Sequence, residues 1–140
     1  MFIGEYNFNL DDSHRLNLPN SFQKNFEESL VISKGFEKCL CIYNASDWEI
    51  LSNKINELSV TKSINRRFSR ALNSGAYETN VDSKGRICIG QKLIEYANLE
   101  KECVIIGVSN KIEIWSKKEW YKYQTENENV MTELGEEIDI

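Results

Sequence analysis

With 140 residues and only four cysteines, the chain has the size of one domain that can build a core without disulfides. No apolar run approaches the roughly 18 residues of a spanning helix, and residues 1–5 lack a basic stretch followed by a long apolar one, so a soluble, cytosolic protein is expected. The net charge of -5 speaks against a nucleic-acid partner only until it is placed. Six acids (Glu126, Glu128, Glu133, Glu136, Glu137 and Asp139) lie in residues 126–140 with no Lys or Arg, and the remaining 16 face 17 cations, which leaves a body of +1.

From the N-terminus, residues 4–19 alternate polar and apolar side chains on either side of Asp11-x-x-x-Arg15. This is the period-2 pattern of two strands joined by a tight turn, a hairpin with an arginine at its tip. Pro19 with Asn20 or Ser21 then signals a short helix, with Phe22 and Phe26 one helical turn apart. Residues 30–33 and 39–43 read as paired strands, and Cys39 and Cys41 fall on one side of the second. No C-x-x-C pair occurs among Cys39, Cys41, Cys88 and Cys103, and His14 is the only histidine. Zinc-ligand spacings are therefore absent, no metal or cofactor is expected, and the cysteines read as small buried hydrophobes in a reducing compartment. Ser46 and Glu49 have the spacing of a helix capping box, and Trp48, Leu51, Ile55 and Leu58 form an apolar stripe that reads as core. Residues 60–74 read as a further helix that stops at Asn73-Ser-Gly75 and carries Lys62, Arg66, Arg67 and Arg70, with no acid between Glu57 and Glu78. Those four cations are either a solvated face or contacts to phosphates or to another subunit.

At residue 75 the chain begins again. Gly75, Tyr77, Asn80, Asp82 and Arg86 repeat Gly4, Tyr6, Asn9, Asp11 and Arg15 at a spacing of 71, with aliphatic residues matched between them. Leu40-Cys-Ile-Tyr43 leading to Trp48 returns as Ile112-Glu-Ile-Trp115 leading to Trp120. Leu93, Ile94 and Ala97 give the second short helix its apolar face, residues 103–108 and 111–115 a second strand pair turning at Ser109-Asn110, and Ser116 with Glu119 a second capping box. A period this long is not that of a solenoid and fits one pseudo-twofold body, as if a dimer had been fused into one chain. The expected divisions are repeat one at 1–58, a helical connector at 59–74, repeat two at 75–125 and an acidic tail at 126–140. In the tail, Val130, Leu134 and Ile138 have helical spacing in sparse apolar surroundings, equally consistent with partial disorder.

The two turns carry the chemistry. Asp11 and Asp82 can accept bonds from backbone N–H groups two or more residues on, and Gly85 supplies the positive φ a reversal needs. His14 takes the glycine position in the first turn and tolerates the left-handed backbone at some cost. A guanidinium fits a phosphate or the O6/N7 edge of guanine. Arg15 and Arg86, with His14, Lys84, Ser13, Ser83 and Gly85 around them, are therefore the candidate DNA-binding residues, and Asp11 and Asp82 their supports. The competing reading is that each arginine merely braces its own turn by pairing with the aspartate. His14, if protonated at mildly acidic pH, would add charge beside Arg15.

On these residues the chain resembles the MraZ family of bacterial transcriptional regulators, within the AbrB-like superfamily. The resemblance covers essentially the whole chain: the Met-Phe-x-Gly-Glu-Tyr opening, the two loops of the Asp-x-x-Gly-Arg type (His14 standing for the glycine in the first), Arg66-x-Phe-x-Arg70 followed by Ser74-Gly-Ala76, and Ile112 to Ser116. It implies a mainly β fold with peripheral helices, a swapped-hairpin (double-split) β-barrel built from two internal repeats. It also implies ring-shaped homo-oligomers in the cytoplasm, associated with the nucleoid, that bind short direct repeats in double-stranded DNA upstream of their own gene in the division and cell-wall cluster. The family's DNA-binding arginines fall on Arg15 and Arg86. Two departures stand out: His14 replaces a glycine, and Gly90 replaces the proline that Pro19 keeps, which should loosen the second helix start. Two other classes compete. An enzyme would need Cys88 or a serine with His14 as nucleophile and base, which only one half could supply. A ring-forming or partner-binding protein would dock through the tail and the residue 60–74 helix.

Overall fold

The computed structural model describes residues 1–26 and 28–140. In chain order, β1 (Glu5–Asn9) and β2 (Arg15–Asn17) flank the first turn, α1 (Asn20–Gln23) runs into a 3-10 turn, and β3 (Leu30–Lys34) and β4 (Leu40–Asn44) lead to α2 (Ala45–Asn56) and α3 (Ser63–Ser74). The second half follows the same order: β5 (Tyr77–Thr79), β6 (Arg86–Cys88), α4 (Gln91–Tyr96), β7 (Glu102–Gly107), β8 (Ile112–Ser116), α5 (Lys117–Glu126) and α6 (Val130–Glu137).

The arms of each predicted hairpin do not stay together. β1 leaves its turn to pair with β7 and β5 leaves its own to pair with β3, while β2 and β6 pair with each other. The result is an antiparallel six-stranded sheet in the order β1-β7-β8-β4-β3-β5, facing a two-stranded β2-β6 ribbon. Among the described residues the large sheet stays open at β1 and β5. Exchanging the two halves reads its order backwards, so the arrangement is twofold in strand order. Two cross-strand pairs consist of residues equivalent in the repeat and so mark the axis: Leu16 opposite Ile87 in the ribbon, and Cys41 opposite Glu113 at the centre of the sheet.

Strand alternation decides what each face buries. Leu30, Ile32, Leu40, Ile42, Ile105, Ile112 and Ile114 point toward the ribbon and close on Leu16, Leu18, Ile87 and Ile89, with Phe22, Phe26, Leu93 and Ile94 from the short helices sealing the sides. The alternate residues Val31, Ser33, Cys39, Cys41, Tyr43, Val104 and Trp115 are also buried, on the outer face, where α2, α3 and α5 cover them.

Two local expectations need correction. The cap of α2 is Asn44, whose Oδ1 accepts from the Asp47 N–H at 2.9 Å, while the Ser46 hydroxyl donates to that same oxygen. The repeat spacing explains this, because Asn44 and not Ser46 is the counterpart of Ser116, which does cap α5 through the Glu119 N–H at 3.0 Å. Trp48, Leu51 and Ile55 are only half-buried and Leu58 is exposed; they form the rim of the outer face and not the core, with Trp48 tilted against Tyr43 at 5.6 Å. In the tail the helical alternative is the one adopted: Val130 and Leu134 lie on α6, with Leu134, Ile138 and Met131 open to solvent.

Candidate functional site

Both turns are built by one device. Asp11 Oδ1 accepts from the N–H groups of Ser13 (2.8 Å) and Arg15 (2.9 Å), and Asp82 Oδ1 from those of Lys84 and Arg86 (both 2.9 Å). Each aspartate N–H donates to the carbonyl of its arginine, and the His14 and Gly85 N–H groups return to the aspartate carbonyls at 3.0 Å. These donors hold both carboxyls below the usual carboxylate range, the arginine N–H in each turn being the largest cause. With the folded pKa below the unfolded one, the bonding favours the fold above the ordinary carboxylate range and fades as pH falls through the lowered value.

The reversal requires positive φ at its fourth position, and both residues there comply, His14 at 62° and Gly85 at 78°. They are not interchangeable. A Cβ on Gly85 would collide with the Gln23 side chain, which is occupied in donating to the Leu18 carbonyl at 2.8 Å, whereas the counterpart of Gln23 in the other half is Ile94. Gly85→Ala should therefore cost about 1–3 kcal/mol, from left-handed strain plus displacement of Gln23. His14→Gly should be neutral or stabilising by up to ~1 kcal/mol, and urea unfolding midpoints of the two variants would test this contrast.

The tips are laced into one unit. Leu18 N–H donates to the Gly85 carbonyl (3.0 Å) and Ile89 N–H to that of His14 (2.8 Å), symmetry-equivalent bonds on either side of the Leu16–Ile87 pair. The Asn17 amide adds a bond to the Lys84 carbonyl at 3.3 Å. In the ribbon Leu16 and Ile87 face the core, so Arg15, Asn17, Arg86 and Cys88 share the outward face. Arg15 stands opposite Cys88 and Arg86 opposite Asn17, which makes the two arginines diagonal neighbours, about 7–8 Å apart at the backbone.

Their electrostatics differ. Arg86 Nε donates to Asp82 Oδ2 at 2.9 Å and its Nη1 lies 3.8 Å from Asp11 Oδ2, so both aspartates hold it. Arg15 makes no ion pair among the described residues. The bracing reading thus describes Arg86 and not Arg15. Ser13, Ser83 and Lys84 are exposed on the same tips. Lys62, Arg66, Arg67 and Arg70 are exposed on or beside α3, over the face of the large sheet turned away from the ribbon, and the fold does not bring them to the arginine tips. At Gly90 the N–H that a proline would lack is taken up by the Tyr77 hydroxyl at 2.9 Å, which itself donates to the Cys88 carbonyl at 2.7 Å, so the start of α4 is pinned from the side.

A family model described as "MraZ protein, putative antitoxin-like" matches the chain twice, over residues 1–71 and 72–139. The chain belongs to the MraZ family. A relative from Natranaerobius thermophilus, the "Transcriptional regulator MraZ", is 41% identical over 138 residues, covering 99% of this chain and 96% of that one. Within the MraZ fold described above, sequence reasoning missed Asn17 and the carbonyls of His14 and Gly85, which lock the tips together. Their signal was the identical spacing of the two turns, which allows a symmetric pairing of β2 with β6. No helix is long and apolar enough to cross a membrane among the described residues.

Proposed function

We propose that this chain is a sequence-specific DNA-binding transcriptional regulator without enzymatic activity, working in the cytoplasm at the nucleoid. The observation that carries the reading is the β2–β6 ribbon, which presents Arg15 and Arg86 side by side on one outward face. A two-stranded ribbon fits the major groove, where arginine is the commonest reader of guanine. The regulator named among its relatives supports the same role. The pairing of β1 with β7 and β5 with β3, each across the halves, supports a swapped-hairpin architecture in which one chain does the work of two.

One pair of arginines neutralises few phosphates and binds weakly alone. A ring of protomers repeats the pair at fixed spacing, so that seating one ribbon brings its neighbour to the next direct repeat at high effective concentration. Exposed Val60 and Ile64 beside Lys62, Arg66, Arg67 and Arg70 make the α3 face suited to subunit contacts within such a ring. This face also supports the second reading, a ring-forming or partner-binding protein with a minor role on DNA. The expected operator is a set of short direct repeats upstream of the chain's own gene, in the division and cell-wall cluster. Footprinting of that DNA tests the reading: protection of repeats by the wild type that is absent with the Arg15→Ala/Arg86→Ala variant supports it, and no protected repeat anywhere in the region overturns it. Lys84→Ala should weaken binding to all sequences alike and reduce the salt slope by about one, as loss of one phosphate contact does.

A further inference from the structure

We propose that Cys39, Cys41 and Glu113 form a binding site for a thiophilic divalent cation of the zinc class. One ligand atom from each of the three lies within 4.8 Å of the others. Tetrahedral zinc places its thiolate and carboxylate donors roughly 3.3–3.8 Å apart, so a small closure of side chains would suffice. The site goes beyond the DNA-binding reading and does not depend on it.

The strands deliver the three groups in distinct ways. Cys41 lies on the outer face of β4 and Cys39 two residues earlier, immediately before the strand begins, and Glu113 stands directly across from Cys41 in the β4–β8 pairing, on the axis relating the halves. Both sulfurs are buried. The turn before Cys39 is closed by the Gly35 N–H on the Cys39 carbonyl at 2.8 Å, and a Cβ at residue 35 would collide with Cys39 Sγ, so the glycine makes room for the sulfur itself and fixes its place. Trp115 Nε1 donates to Glu113 Oε1 at 3.1 Å, which orients the carboxylate and leaves Oε2 for an ion. A cavity of about 210 Å³, lined by Cys41, Tyr43, Lys111 and Glu113 among others, reaches the cluster from outside and has room for a water as fourth ligand.

Charge and proton balance are both satisfied. Each thiol gives its proton to solvent on ligation, so the donor set carries -3, the ion +2, and the Lys111 ammonium beside the cavity the remaining +1. The ligands come from both halves of the chain, so the ion would tie β4 to β8 at the centre of the sheet.

Titration of the full-length wild-type protein with Co²⁺ and then Zn²⁺ is the test. Expected are a thiolate-to-cobalt absorption band that saturates at one equivalent per chain, displacement of that band by Zn²⁺ with release of protons, and a melting temperature that rises with Zn²⁺ concentration. Cys88→Ser, at an exposed thiol outside the cluster, should change none of these. Cys39→Ser and Cys41→Ser should remove the band, and Glu113→Gln should weaken binding at least ~10-fold, with far-UV circular dichroism establishing that each variant is folded. Absence of a thiolate band in the wild type overturns the proposal without recourse to variants. So does one-equivalent binding that survives in the Cys39→Ser/Cys41→Ser protein.

Discussion

The Arg15→Ala/Arg86→Ala protein is expected to lose operator binding by at least ~30-fold at fixed salt while remaining folded. Each good arginine contact to a guanine edge discriminates by ~1–3 kcal/mol, so two amount to ~2–6 kcal/mol, or roughly 30-fold to 20,000-fold. The two arginines should not contribute equally. Arg86 is held by Asp82 and Asp11 and must loosen that pairing to reach DNA, whereas Arg15 has no ion pair among the described residues. Arg15→Ala alone should therefore cost more than Arg86→Ala. Asp82→Asn supplies the complementary case: it keeps an acceptor for the Lys84 and Arg86 N–H groups but removes the charge, so binding to all sequences should rise and discrimination fall. Gel shifts against repeat and scrambled DNA read all four proteins. Unchanged binding by the double arginine variant would sink the proposed interface.

The second large effect concerns stability. Leu16 and Ile87, 0% and 1% exposed, face each other where the ribbon closes on the core. Truncation of either to alanine leaves a cavity between two layers that hydrogen bonds on both sides keep from collapsing. Each single change should cost about 2–5 kcal/mol. As the side chains are in contact, the double variant should lose less or more than the sum, with a coupling of ~0.5–3 kcal/mol. Urea unfolding midpoints supply the numbers. A shift no larger than that of Ile138→Ala, at an exposed position on the tail, would mean that the ribbon does not close the core.

Much of this architecture was legible in the residues. Two copies of Asp-x-x-x-Arg at one spacing gave the turns, their internal bonds and the twofold organisation, because an aspartate that satisfies backbone donors leaves a local signature. Partner choice left none. A run such as residues 4–19 specifies two strands and a turn, but whether those strands pair with each other or with the other half depends on burial that only the assembled sheet provides. The same limit hid the Cys41–Glu113 juxtaposition, which joins residues 72 positions apart and has no C-x-x-C spacing to announce it. The Trp48 stripe misled for a related reason. Its helical period marks an apolar face correctly, yet period alone does not say whether that face meets the main core or the rim of a sheet already filled from its other side.

The palindromic strand order has a consequence for how the molecule comes into being. β1 has no sheet neighbour until β7 has been synthesised, β2 must wait for β6, and the β3–β4 pair lacks β5 on one side and β8 on the other, so every strand of a nascent first half leaving the ribosome has an unsatisfied edge. Such long-range closure makes for slow folding. A polypeptide ended at residue 74 would meet its missing neighbours only in a second copy of itself, and expressed alone it should be found as a dimer or in aggregates.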